Sequence, residues 1–197
     1  INVFAGAAAH LKNEDIDKNL EVIKKSKIFL TQMETPDSTT IYALKKAKDN
    51  DCLTILNPAP ARKINENDFE LLDFFTPNET EAEFYLNKKI ETNTDIKNAA
   101  KEFLNRGVKN IIITLGEKGI YFANKNEEYF VDALKLKDEV VDTTGAGDAF
   151  NGAFAVALAN EHKYKDALIF ANKVAGISTT RLGAASSMPT LKEVEEY

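Results

Sequence analysis

Val-Asp-Thr-Thr-Gly-Ala-Gly-Asp-Ala-Phe-Asn-Gly-Ala-Phe, residues 141–154, is the stretch on which the reading of this chain turns. Val140 and Val141 close a β-branched apolar run. Thr143, Thr144, Gly145, Ala146 and Gly147 follow, a turn with almost no side-chain bulk. From Asp148 onward, Ala149, Phe150, Ala153, Phe154, Ala157 and Leu158 recur at helical spacing. The pattern predicts a strand that feeds a glycine-containing loop, which opens into a helix. Such a loop lets backbone N–H groups approach an anion closely. The helix start adds orphan donors and partial positive charge at the same place. Asp148 falls at that start, and its carboxylate reads in two ways. It caps the helix, as aspartate commonly does. Or it is the base for a hydroxyl attacking the bound anion, the arrangement that phosphoryl transfer to an alcohol needs. A Gly-x-Gly turn alone does not choose between them.

Composition narrows the classes. A chain of 197 residues, 44% hydrophobic and 28% charged, is expected to form one α/β domain over residues 1–197 with a real core. Its net charge of −6, without a basic cluster, argues against nucleic acid or an anionic membrane as partner. A nucleotide needs only a local electropositive site and stays open. The single cysteine, Cys52, excludes an internal disulfide and fits a reducing, cytoplasmic setting. It lies in the apolar run 52–56 and reads as buried filler. No apolar run approaches the ~18 residues of a membrane span, and the N-terminus lacks the basic region of a signal peptide. It also lacks an initiator Met and starts inside a β-branched run, as the middle of a protein would.

Taken in order, residues 1–4 read as the end of a strand and residues 6–9 as a small-residue loop. Asn13 or Asp15 caps a helix to about Ser26, with Ile16, Leu20 and Ile23 on one face. Residues 28–30 form a short buried strand, and Asp37 or Ser38 caps the next helix. Residues 53–56 and 73–76 are strands. Asn78 or Thr80 opens a helix to about Leu86, and Thr94 or Asp95 another to about Asn105, ended by Gly107. The run 110–115 reads as a strand buried on both faces. Residues 120–123 and 128–131 form a hairpin, a helix covers about 164–180, residues 181–189 are a loop, and a short helix starts at Leu191. Strands alternating with helices imply βα units and a mostly parallel sheet covered on both faces. Ligands bind such sheets beyond the carboxyl ends of the strands. Glu34, Asn57, Asn78 with Glu81, Thr114 with Gly116, and Asp142 with Asp148 all fall there.

Asp-Thr-Thr-Gly-Ala-Gly-Asp-Ala-Phe, residues 142–150, resembles the second signature of the ribokinase-like (PfkB) carbohydrate kinase family. Met33-Glu34-Thr35-Pro36, Leu56-Asn-Pro-Ala-Pro-Ala61, Thr76-Pro-Asn-Glu-Thr-Glu-Ala-Glu83, Thr114-Leu-Gly-Glu-Lys-Gly119 and Thr180-Arg-Leu-Gly-Ala184 extend the likeness over essentially the whole chain, in the order found in ribokinases. The resemblance implies a three-layer αβα sandwich with a mostly parallel sheet. It also implies transfer of the ATP γ-phosphate to the 5-hydroxyl of D-ribose. Asp148 would be the base, and the backbone of Gly145, Ala146 and Gly147 the anion hole. Asn78, Thr114, Leu115, Gly116, Glu117, Lys118, Gly119 and Asn172 would hold the nucleotide, together with Gly147 and Asp148. Glu34 would reach the sugar. Glu81 would organise a hydrated Mg²⁺. A monovalent cation, K⁺, would sit on Asp142 and on oxygens of Thr144, Ser178, Arg181, Gly183 and Ser187.

Each has a plainer alternative. Asn78 with Glu81 reads equally as a cap with first-turn acids, Glu34 as a solvated strand-end charge, Asn172 as a surface amide. His10 and His162 show no metal spacing and read as structural or surface. The family's N-terminal substrate motifs and its β lid, which commonly makes the dimer contact, are absent from this sequence. It resembles the C-terminal two thirds of such a kinase. The alternatives are a family kinase for fructose, a deoxy sugar acid or a nucleoside, or a non-catalytic nucleotide-binding fragment.

Overall fold

Short apolar segments separated by helices become the strands of one sheet. A computed structural model describes residues 5–197; the strand read over residues 1–4 lies outside the described residues. The strands are β1 (Ile28–Thr31), β2 (Leu53–Leu56), β3 (Phe74–Phe75), β4 (Asn110–Thr114), β5 (Ile120–Asn124) and β6 (Glu128–Val131), in that spatial order. β1 to β4 run parallel, with Ile28 opposite Leu53, Ile55 opposite Phe74 and Phe75 opposite Ile111. Parallel neighbours require crossovers. These are α3 (Asp37–Lys48) between β1 and β2, and α4 (Glu79–Leu86) with α5 (Asn93–Asn105) between β3 and β4. β5 and β6 form a hairpin whose turn is closed by the Asn124 N–H donating to Glu127 O at 2.9 Å.

The chain divides into two compact units. The first comprises, of the described residues, 5–113 with Phe122–Tyr129. Its core includes edge-on rings: Phe75 lies 5.7 Å from Phe69, 5.1 Å from Phe103 and 5.4 Å from Tyr85. The Arg106 guanidinium stacks over Phe69 at 5.6 Å. A second cluster joins Ile23, Ala47 and Cys52 with Ile16, Leu20 and Phe29, so the three apolar positions read on one helical face do share a core. Cys52 is buried filler there. Its thiol donates to Ile23 O and Ser26 O at 3.0 Å each, and burial pushes its pKa up. The second unit comprises Thr114–Tyr121 with Phe130–Tyr197. It holds α6 (Ala146–Ala159), α7 (Tyr164–Ser178) and α8 (Leu191–Glu196), packed through Ala149, Val174, Ile177 and Val194.

Several local readings change. The first helix is two: α1 (Asn13–Lys18) and α2 (Leu20–Lys24). Asn19 leaves helical dihedrals, and its amide donates to the Asp15 carbonyl at 2.8 Å, competing with the backbone ladder. Lys12, Pro36 and Thr92 occupy the cap positions of α1, α3 and α5, so Asn13, Asp15, Asp37, Thr94 and Asp95 lie inside the helices. Thr92 wins over Thr94 because it closes a reciprocal box with Asp95. Residues 6–10 form a 3-10 turn, as do residues 66–71. β1 is exposed at Leu30 and pairs, among the described residues, with β2. The largest change precedes Thr143. Val140 and Val141 form no strand and are exposed; the preceding segment packs inward through Leu134 and Leu136, next to Gly176, and not through the valines.

One polar network is buried in the first unit. Asp73 lies 2.5 Å from Lys48 and 2.8 Å from Lys109, and accepts the Thr54 N–H at 3.0 Å. Burial pushes the Asp73 carboxyl up, but Lys109, Lys48 and Thr54 together hold it below its ordinary value. Lys48 is held low by burial and by neighbouring Lys109, against the pull of Asp73. Removing the anion leaves the buried Thr54 N–H without its acceptor, while Lys48 and Lys109 keep access to water. Asp73→Ala is therefore expected to cost about 1–3 kcal/mol, measured by urea denaturation.

Candidate active site

In the second unit the site is built mainly from backbone. α6 starts at Ala146 with Gly145 at the cap position, φ 77°. Asp148 is therefore not the cap; it is the third residue of the first turn, and exposed. Gly145 needs its left-handed conformation and its missing side chain together: a Cβ there would lie 3.3 Å from Ala184 Cβ and 3.5 Å from Met188 Cε. The Ala146 N–H donates to Thr143 O at 3.2 Å, which tightens the turn. The N–H groups of Gly147 and Asp148 belong to the first turn, where no carbonyl four residues back lies in the helix.

The turn is clamped from the preceding side by Asp142. One carboxylate oxygen accepts the Thr144 N–H at 2.9 Å and the other the Gly183 N–H at 3.0 Å. The Val141 and Asp142 N–H groups both donate to Thr179 O, at 2.8 and 3.1 Å. Thr144 and Gly183 hold the Asp142 carboxyl below its ordinary value of 3.8, because they bond its charged form. Ser178 and Ser187 are buried, with hydroxyls donating to Ala175 O at 2.8 Å and Ala184 O at 2.7 Å, so their oxygens keep lone pairs free to coordinate. Asp142, Thr144, Ser178, Arg181, Gly183 and Ser187 thus share two neighbouring segments. An oxygen set with one carboxylate suits a weakly held monovalent cation. Among the described residues no group of three or more His, Cys, Asp or Glu could hold a metal.

The remaining candidate residues of this unit are also fixed. Thr114 ends β4, the Leu115 N–H donates to Gly119 O at 2.8 Å, and Gly116, Glu117 and Lys118 form one exposed 3-10 turn. Gly119, at φ 93°, lies so close to Val131 that a Cβ would sit 2.1 Å from its carbonyl oxygen. Asn172 on α7 donates its amide to Asp132 O at 2.6 Å, so it is anchored and not a loose surface amide.

The first unit carries the other three. Glu34 is exposed in the bend after β1. Asn78 caps α4, accepting the Glu81 N–H at 2.8 Å while Glu81 accepts the Asn78 N–H at 2.8 Å. The cap reading of this pair is therefore realised, and it fixes the Glu81 carboxylate at the helix start. Burial pushes that carboxyl up, against the lowering bond from Asn78. Asn57, at the end of β2, is buried and donates its N–H to Thr31 O at 3.0 Å. His10 and His162 are exposed. No helix among the described residues is long and apolar enough to cross a membrane.

Sequence reasoning missed the partners. Nothing in the string shows that Asp142 spans forty-one residues to Gly183, or that Ala184 and Met188 cover Gly145. Thr190-x-x-Glu193 is legible as a capping box, but its bond to Arg181 is not.

The pattern of the pfkB family carbohydrate kinases matches residues 1–191. A ribokinase of Staphylococcus aureus (strain COL) and a deoxyribokinase of Salmonella typhi are each 36% identical across all of this chain. The chain spans 64% of the length of both relatives. The crystal structure of a Thermotoga maritima ribokinase superposes with a TM-score of 0.87 at 45% identity, covering 99% of this chain and 63% of that one. An Arabidopsis thaliana ribokinase complexed with ribose and ATP gives 0.87 at 33%, covering 91% and 58%. The fold is the three-layer α/β class of these structures, with a six-stranded, mostly parallel sheet.

Asp142→Asn leaves one oxygen to accept two N–H groups. A carboxyl held below 3.8 contributes stability above that pH and loses it as pH falls through the lower folded value. Urea midpoints of wild type and Asp142→Asn should thus differ most above about pH 4 and converge below it. A gap that stays constant down to pH 2 would contradict the clamp.

Proposed function

This chain belongs to the pfkB family of carbohydrate kinases, and we propose that its protein transfers the ATP γ-phosphate to the 5-hydroxyl of D-ribose, giving D-ribose 5-phosphate. The observation that carries the reading is the exposed Asp148 carboxylate one residue beyond Gly145-Ala-Gly147, at the N-terminus of α6. Asp148 takes the proton from the hydroxyl as its oxygen attacks phosphorus. The first-turn N–H groups and the helix dipole stabilise the charge that gathers on the transferring phosphoryl oxygens. The left-handed Gly145 holds those donors in place beforehand, so little reorganisation accompanies the reaction. Asn78, the loop from Thr114 to Gly119, and Asn172 take the nucleotide, and Glu34 accepts bonds from sugar hydroxyls.

Glu81 suits a hydrated Mg²⁺, because its carboxylate is already oriented by Asn78 and Mg²⁺ commonly keeps several waters. The ion would supply charge neutralisation on the triphosphate. K⁺ fits the oxygens around Asp142 and would reinforce the anion-binding turn that Asp142 clamps. The deoxyribokinase at the same 36% identity supports 2-deoxyribose as a second acceptor.

A coupled ADP-release assay of the full-length protein against ribose, 2-deoxyribose and fructose tests the reading. Ribose should turn over fastest. Asp148→Asn should lower kcat at least ~10²-fold with nucleotide affinity little changed; near-normal turnover would leave Asp148 a first-turn acid only. Replacing Na⁺ by K⁺ at constant ionic strength should raise the rate, and equal rates in the two salts would remove the cation site.

A further inference from the structure

The anion-binding turn does not end at its own residues. Gly183 donates to Asp142, and Ala184 and Met188 lie against the space beside Gly145. All three belong to the loop of residues 181–188, which contains one short 3-10 turn at Ala185–Ser187. At the front of this loop the Arg181 guanidinium meets the Glu193 carboxylate, Nη2 to Oε1, at 2.6 Å. Glu193 is itself fixed. Its other oxygen accepts the Thr190 N–H at 2.7 Å and lies 2.9 Å from the Thr190 hydroxyl. The helix that carries it, α8, is docked by the buried Val194. A run of contacts thus leads from α8 through Arg181 and Gly183 to Asp142, and from there to the Thr144 N–H and Gly145.

We propose that Glu193 is a positioning residue for the anion-binding turn, acting through Arg181 and the 181–188 loop. It touches neither nucleotide nor sugar in the reading given above, on which this inference rests. The pair is half-exposed, so its strength comes from short, fixed geometry rather than from burial. Its effect is on orientation: it restrains the loop whose Gly183 N–H and Ala184 side chain set the turn. Loosening it should let the turn sample conformations in which its donors are misdirected. Phosphoryl transfer is sensitive to that, because catalysis there is mostly positioning.

The test uses the full-length protein and three variants. Glu193→Gln and Arg181→Gln each break the pair, and Glu193→Gln keeps an oxygen for the Thr190 cap. Val174→Ala trims the same core cluster without touching the pair. Amide hydrogen exchange at Thr144 and Gly183, without ligand, should quicken at least about fivefold in both pair variants. In the same variants kcat should fall about 3- to 10-fold with the nucleotide KM within twofold. The double variant should be no worse than either single. Val174→Ala should lower the melting temperature while leaving both the exchange and kcat unchanged. Unaltered exchange in the two pair variants, or a Val174→Ala variant that reproduces their effects, would overturn the proposal. Should the wild-type protein turn over no sugar, the kinase reading fails, while the exchange data still decide the role of Glu193.

Discussion

The candidate site of the second unit depends on one backbone conformation, the left-handed Gly145 between Asp142 and α6. That conformation reverses the chain into α6, with the Ala146 N–H closing the turn on Thr143 O at 3.2 Å. It is available at little cost only to glycine. It is also enforced from outside, since Asp142 accepts N–H groups from both Thr144 and Gly183 while Ala184 closes against Gly145. A substitution that adds a single carbon at Gly145 meets both objections at once: an unfavourable φ and a contact at 3.3 Å.

The two units supply different kinds of group. In the second, most of the candidate site is main chain, with donors and carbonyls whose directions are set by secondary structure. Such groups reorganise little when charge moves and do not titrate in the working range. In the first, Glu34, Asn78 and Glu81 are side chains at the ends of β1 and at the start of α4. Two of them are held by each other, in the same reciprocal bonds that begin the helix. The cap and the functional reading of Asn78 with Glu81 are therefore not rivals. A capping box is a device that orients a carboxylate, and an oriented carboxylate is what a hydrated cation requires.

What could be read in advance follows the range of the interactions. The glycine turn, the start of α6, the cap at Asn78 and the strands from Leu53 to Val131 each depend on neighbours within a few residues or on apolar period, and those were legible. The break at Asn19 was not, because it turns on an amide choosing a carbonyl four residues back over solvent. The absence of a strand at Val140 and Val141 was not, because β-branching gives a strand only where a neighbour and a buried face exist. There the Val141 N–H is taken by Thr179 O, thirty-eight residues on. The candidate residues could be named from the string, Gly183 among them, but the contacts that Gly183, Met188 and Glu193 make around the turn arise only from the fold.

The same distinction bears on which sugar is accepted. A ribokinase and a deoxyribokinase match the whole of this chain at the same 36% identity, yet ribose and deoxyribose differ by one hydroxyl. In the proposed reading the first-turn N–H groups of the helix act on phosphate and Asp148 on the attacking oxygen, so neither would sense that hydroxyl. A side chain that hydrogen-bonds it can separate the two substrates by ~10⁴-fold or more, because the pocket's polar group is left unpaired by the analogue. Glu34 is the one carboxylate assigned to the sugar in this chain. If it faces the C2 hydroxyl, Glu34→Gln should narrow the preference for ribose over deoxyribose; if it faces another hydroxyl, the variant should slow both sugars alike. Groups that act on phosphate can thus be indifferent to the sugar while a single acceptor decides it.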